Sequence, residues 1–271
     1  MMKGAEREVT QKQLYQDREI IAYKHGEVKP GSASIVEEIP LTIYVNDVEL
    51  ATLVCSSGGH KELAVGFMLS EGMIQNHEEI KDITLNESDG LLWIETASPV
   101  KQVDSFLKRQ ITSCCGKGRA SLYFVNDVCN LQPVQSSKQF AASHLLKMIG
   151  ALEEGSATFR KTGGVHSAAL ADNTGLLAMY EDIGRHNAVD KVLGYAVLNR
   201  LAPDDKFLLL SGRVSSEILI KAGHSHIPLV LSRSAPTCLA VDLADQFGIA
   251  LVGFARGDAM SVYSHPEKVI M

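Results

Sequence analysis

Alternation of apolar and polar positions first becomes regular at Leu41-Thr42-Ile43-Tyr44-Val45 and Val48-Glu49-Leu50-Ala51-Thr52-Leu53-Val54. Asn46-Asp47 between these runs tolerates the positive φ of a two-residue turn, so a β-hairpin is predicted. Ser57-Gly58-Gly59 ends the second strand. Lys61 to Glu71 then puts Leu63, Phe67 and Ser70 on one helical face, which Val65, Met68 and Leu69 broaden. Ile80 to Leu85 and Leu91 to Thr96 give two further strands joined at Ser88-Asp89-Gly90. Upstream of this order the chain is polar and broken by Pro30-Gly31-Ser32, so residues 1–37 are expected to form a flexible arm.

The pattern changes after residue 135. An Ala/Leu-rich helix is predicted over Ala141 to Leu152, followed by alternating short apolar runs and helical stretches. The strands are Ser167 to Ala171, Leu176 to Asp182, Lys206 to Ser211, Pro228 to Leu231 and Ile249 to Phe254. The helices are Asn187 to Asn199, Ser215 to Ala222 and Thr237 to Phe247. Strands separated by helices of this length predict βαβ crossovers and a mainly parallel, helix-covered sheet. The expected organisation is an α/β protein (α+β overall), with a smaller β-rich domain over 38–135 and a second domain over 136–271.

Composition adds exclusions. The 271 residues carry 26 basic and 32 acidic side chains, and a net charge of −6 gives no long-range attraction for a nucleic-acid backbone. No apolar run approaches the roughly 18 residues of a membrane-spanning helix. Five cysteines form a sparse, odd set, and the first residues, MMKGAEREVTQKQ, lack the apolar core of a signal peptide. A reduced, cytoplasmic chain is expected, without disulfides or insertion into a membrane.

Four segments could carry chemistry. Gln110 to Arg119 places Cys114 and Cys115 beside Gly116, Lys117, Gly118 and Arg119, an accessible and positive setting that favours a thiolate. Cys55, Cys129 and Cys238 have the surroundings of buried thiols. Gly163 to Ser167, with His166, and Glu181 to Lys191, with Arg185 and His186, lie at strand-to-helix turns where α/β sheets bind ligands, as does Ser211-Gly212-Arg213. Capping and surface charge are the alternative for each. At the C-terminal end, Phe254 could stack on a heterocycle beside the Arg256-Gly257 turn, unless a hairpin there simply closes the sheet. His224 and His226 lack the further ligands a metal site needs.

Thr112-Ser113-Cys114-Cys115-Gly116, Gly164-Val165-His166, the run Glu181 to Lys191, Ser211-Gly212-Arg213, Val262 to Pro266 and Ala64 to Gly72 together resemble the FdhD/NarQ family. The resemblance extends from about Glu38 to Pro266. It implies a sulfurtransferase required for formate dehydrogenase. Such a protein accepts sulfur from a cysteine desulfurase as a cysteine persulfide and passes it to the molybdenum of Mo-bis(molybdopterin guanine dinucleotide), a transient ligand, before that cofactor enters formate dehydrogenase. It also implies a cytidine-deaminase-like α/β fold with a mixed, helix-covered sheet for the second domain, and a homodimer, with no permanent metal.

The family's sulfur-carrying loop reads Thr-Ser-small-Cys-Gly-x-Cys-Gly. Laid on this chain, its first cysteine falls on Cys115 and the preceding position on Cys114, while its second cysteine falls on Gly118. Cys115 is thereby implied as the persulfide residue, with Cys114 as an auxiliary thiol. The family's cofactor-binding segment maps to Phe254, Ala255, Arg256, Gly257, Asp258 and Ala259, to which His166, Arg185, His186 and Arg213 are added from their strand-end positions.

Two other functions share some of these features. A zinc nucleoside deaminase requires His-x-Glu with Pro-Cys-x-x-Cys, and here His166 precedes Ser167-Ala168 while Cys238 has no second cysteine at that spacing. A non-catalytic chaperone that binds the molybdenum cofactor without moving sulfur is the alternative suggested by Gly118.

Overall fold

The computed structural model describes residues 13–99 and 131–271. Cys114, Cys115, Lys117, Arg119 and Cys129 lie outside the described residues.

The first ordered element is a hairpin, β1 (Tyr15–Lys24) with β2 (Glu27–Val36), where a flexible arm was expected. His25 and Gly26 form its turn, with φ values of 53° and 85°. Pro30 looked like an interruption, but this sheet has only two strands, and a proline is tolerated where its missing N–H faces away from a ladder.

β3 (Ile39–Val45) and β4 (Val48–Cys55) form the hairpin predicted from sequence, with positive φ at both Asn46 and Asp47. With β5 (Ile80–Asn86) and β6 (Leu91–Thr96) they make a four-stranded sheet in the order β4-β3-β6-β5. Helix α1 (His60–Ser70) leaves the end of β4.

The larger sheet has the order β13-β12-β11-β10-β8-β9. Its strands are β8 (His166–Asp172), β9 (Gly175–Asp182), β10 (Phe207–Leu210), β11 (Leu229–Ser232), β12 (Ala250–Arg256) and β13 (Ala259–Ser264). β10-β11 and β11-β12 are parallel, whereas β8-β9, β8-β10 and β12-β13 are antiparallel. The sheet is therefore mixed, as the family resemblance implies, and not mainly parallel as the strand–helix alternation alone predicts. Tight turns join β8 to β9 and β12 to β13, and only antiparallel neighbours can be joined that way.

Alternation within β10 shows how this sheet is buried on both faces. Phe207 and Leu209 pack with α2 (Ala142–Gly155) through Leu145, Met148, Ile149 and Leu152. Leu208 and Leu210 join a second core with α4 (Arg185–Leu198), α5 (Ser216–His224) and α6 (Cys238–Gln246). Short α3 (Ala157–Thr162) follows α2. Two-residue β7 (Phe140–Ala141) pairs in parallel with β14 (Val269–Ile270) beside the α2 core.

The second core also contains Leu41, Ile43, Leu92 and Ile94 of the smaller sheet, so the two sheets share one apolar interior. The join is closest where α1 crosses α4. A Cβ at Gly66 would lie 1.7 Å from the Asp190 carbonyl oxygen, and one at Gly194 would lie 1.8 Å from that of Glu62. Only glycine permits this approach. Among the described residues no helix is long and apolar enough to cross a membrane.

Candidate functional site

β9, β10, β11 and β12 end at the edge of the larger sheet where β8 begins. The turns leaving them carry most of the residues singled out from sequence, and hydrogen bonds link those turns into one surface. At the start of β8, the Ser167 N–H donates to Ser211 Oγ at 2.9 Å, while the Ser211 N–H donates to the Ser167 carbonyl at 3.0 Å. Gly212 is small enough to admit His166, whose Nδ1 would stand 3.3 Å from a Cβ at that position. Ser232 Oγ donates to the Gly212 carbonyl at 2.7 Å, and the Val214 N–H to the Ala235 carbonyl at 3.1 Å. The Phe254 N–H donates to the Ser234 carbonyl at 3.1 Å, and Arg256 Nε to the Arg233 carbonyl at 2.9 Å.

Phe254 holds a left-handed backbone, φ 51°, an outlying conformation for a bulky side chain. It sits in the irregular register between Gly253 and Arg256, and such a bulge re-aims a side chain. The ring is 47% exposed, available for stacking. Arg256, Gly257, Asp258 and Ala259 around the β12-β13 turn are exposed as well. Ala255 is fully buried in the α2-side core and presents no surface to a ligand.

Arg213 is exposed, and Arg185 and His186 are half-buried. His186 Nε2 lies 3.3 Å from Arg185 Nε and 3.2 Å from Glu217 Oε2. His166 is at the surface, yet desolvation by its surroundings and then the Arg185 guanidinium hold its imidazole below the ordinary histidine value, against the pull of Asp182. The neutral ring can accept a hydrogen bond near neutral pH.

Most of the polar run Glu181 to Lys191 faces inward, which its sequence did not reveal. Glu181 accepts from the Thr158 and Phe159 N–H groups, both at 2.9 Å, and so caps α3. Asp182 is fully buried with Lys191 at 2.7 Å, and accepts from the N–H groups of Ser56 at 3.1 Å and Gly184 at 2.9 Å and from Asn187 Nδ2 at 3.0 Å. Lys191 Nζ donates to the Ser56 carbonyl at 3.1 Å. The Gly184 N–H is therefore already used and is not available to a ligand. Asp190 accepts from Lys221 Nζ at 2.6 and 2.7 Å and from Ser70 Oγ at 2.6 Å, while burial pushes its carboxyl up. These clamps hold the ends of β4 and β9 against α4, leaving residues 183–186, with Arg185 and His186 as their charged and polar side chains, as the part of the run nearest solvent.

The two described thiols contrast. Cys55 is buried at the end of β4, and burial first, then the Asp182 carboxylate, raise it to about 12. It is not a thiolate at neutral pH. Cys238 was expected to be buried, but as the first residue of α6 it is exposed, because the turn from Pro236 to Thr237 presents the helix start to solvent.

Sequence reasoning missed the turn Ser232-Arg233-Ser234 after β11. Arg233 pairs with Glu153 at 3.0 Å, and this turn ties Gly212 to Phe254 and Arg256. The rule that flagged the other strand ends applies equally here. Together this edge offers guanidinium groups, a neutral imidazole, an exposed ring and turn backbone, a set that suits an anionic ligand bearing a flat heterocycle.

A family model described as the FdhD/NarQ family matches residues 36–270. A curated protein of Bacillus subtilis (strain 168) named sulfur carrier protein FdhD is 42% identical over 254 residues, covering 93% of this chain and 96% of that protein. A protein of the same name from Geobacillus kaustophilus is 42% identical over 257 residues, covering 94% and 97%. A crystal structure from Desulfotalea psychrophila, whose description proposes a formate dehydrogenase accessory role, superposes with a TM-score of 0.79. At 24% identity it covers 95% of this chain and all of its own, and shows a shared fold.

Proposed function

The chain belongs to the FdhD/NarQ family, and from that premise we propose that it is a sulfur carrier in formate dehydrogenase maturation. The observation that carries this reading is the placement of Phe254, Arg185, Arg213, Arg256 and His166 along one end of the larger sheet, in a chain whose relatives are named as sulfur carriers. Guanidinium groups would hold the phosphates of Mo-bis(molybdopterin guanine dinucleotide), the substrate that receives sulfur, and Phe254 would stack on its guanine. His186 and the turn Gly257-Asp258-Ala259 would complete the contacts.

Cys115 carries the sulfur in this proposal. Its thiolate attacks the outer sulfur of a persulfide on a cysteine desulfurase; the donor S–S bond breaks, the donor thiolate leaves, and a new S–S bond forms on Cys115. Delivery to molybdenum as sulfide takes two electrons, from a thiol reductant, and restores the Cys115 thiolate. Lys117 and Arg119 would stabilise the persulfide anion. Cys55, held protonated by burial, is unsuited to either step. Formate dehydrogenase is the recipient, and the working form is a cytoplasmic homodimer.

The test is mass spectrometry of the full chain after incubation with a cysteine desulfurase and cysteine. An adduct of about 32 Da, one sulfur atom, is expected on the peptide containing Cys114 and Cys115, removed by a thiol reductant and by Cys115→Ala but retained in Cys114→Ala. An unmodified peptide would turn the function to the non-catalytic cofactor-binding chaperone.

A further inference from the structure

We propose that a second pocket, at the opposite end of the larger sheet from Phe254, binds a small carboxylate with an apolar ring or branched body. This cavity of about 360 Å³ lies where the C-terminal ends of α4 and α5 meet the loop after α1. Its volume falls at the lower end of the range for small-molecule sites, room for roughly a dozen non-hydrogen atoms. Half-buried Val197 and Leu201 supply an apolar wall, backed by the buried Leu69, Leu170, Leu193 and Ile227. Arg200, His77 and His226 stand among the polar groups around it.

The same capping device builds two sides of the cavity. At the end of α4 the Leu201 N–H donates to the Ala196 carbonyl at 2.9 Å; at the end of α5 the Ile227 N–H donates to the Ala222 carbonyl at 3.0 Å. Each cap turns an apolar residue, Leu201 or Ile227, back into the wall. Each also requires one residue in the left-handed region, where glycine is the usual occupant, yet these positions hold Arg200 (φ 52°) and His226 (φ 53°). A basic residue in the last helical turn would complement the helix dipole equally well without that conformation. Placing the basic groups at the two left-handed positions puts them beside the cavity.

Charge selects the head group. Lys206 also lines the cavity, but its ammonium is paired with Asp205 and lies 3.6 Å from Asp172. Arg200 is held more loosely: Nη2 donates to His77 Nδ1 at 3.3 Å, and Nε is 3.8 Å from the exposed Glu78 carboxylate. Its guanidinium retains donors for a ligand, and a planar carboxylate matches them in pairs. The apolar wall takes the rest of the molecule out of water.

Isothermal titration calorimetry on the full chain tests this with 1-naphthoate and its neutral analogue 1-naphthalenemethanol. One naphthoate per chain is expected, bound at least about tenfold more tightly than the alcohol, the difference a charged hydrogen bond makes. Arg200→Gln, an exposed change that leaves the core intact, should bring the two ligands within about twofold. Ala196→Phe, which fills the cavity, should abolish both while circular dichroism shows a folded chain. Absence of naphthoate binding, equal affinity for the alcohol, or an unchanged preference in Arg200→Gln would overturn the proposal. So would loss of naphthoate binding in Phe254→Ala, which would put the ligand on the other edge.

Discussion

At the end of the larger sheet where β9 to β12 terminate, the turns are held from beneath by fully buried charges. Asp182 and Lys191 are 0% and 1% exposed, and Asn187 bonds Asp182 Oδ1 and the Val54 carbonyl. At the other end the sheet meets apolar side chains and two capped helix ends, which leave a void. The contrast teaches how each end specifies its groups. A satisfied buried polar network has one low-energy geometry and transmits it to the turns above, whereas apolar walls set a volume and leave exposed groups such as Arg200 freer.

The sharpest way to break this comparison is Asp182→Ala. It leaves the Lys191 ammonium buried without its counter-ion, and about 3–5 kcal/mol of stability should be lost in urea denaturation. A loss below about 1 kcal/mol would mean the clamp is not what holds this end.

Cysteine alkylation probes the same region without mutation. With Cys55 raised to about 12, its thiolate fraction near pH 8 is about a thousandfold below that of an ordinary thiol. In a time course followed by peptide mass spectrometry, iodoacetamide should label the Cys238 peptide early and the Cys55 peptide only on unfolding. Early Cys55 labelling would show that the end of β4 opens.

At the cavity end, Lys206→Met removes a cation 11% exposed whose partner Asp205 is 46% exposed. Solvent reaches Asp205, so the cost should be about 1 kcal/mol, well below that of Asp182→Ala in the same titration. Equal costs would erase the distinction between the ends.

The smallest effect is pH dependence from His166. Its folded-state pKa lies below the unfolded value, so the unfolded chain binds the proton more readily once pH falls through the unfolded pKa of about 6.5. Stability is therefore lost on acidification through that window and is unaffected above it. His166→Gln should flatten the stability curve between about pH 7 and 5; an unchanged slope would show that other groups set it.

Much of this arrangement is legible in the sequence. Asn46-Asp47 announced its hairpin because two positive φ values restrict the residues that can serve there. The strand-end turns at Gly212 and Arg256 were readable because ligand edges follow strand ends. The hairpin of β1 and β2 was not, since a two-stranded sheet exposed on both sides needs no apolar alternation; even Ile21 and Tyr23 are 71% and 76% exposed. Nor could Asn187, Asp190 and Lys191 be told from solvent-facing helix residues. Their partners Val54, Ser70 and Ser56 lie more than a hundred residues away, and burial of a polar group is decided by that distant pairing.

The crossing of α1 and α4 has a consequence for synthesis. Gly66 emerges well over a hundred residues before Gly194, the partner whose backbone it must touch. At about 5–20 residues per second, the smaller sheet and α1 wait on the order of ten seconds on the ribosome with an apolar face uncovered. During that interval the nascent chain is a substrate for holding chaperones, and its final collapse is timed by the arrival of α4.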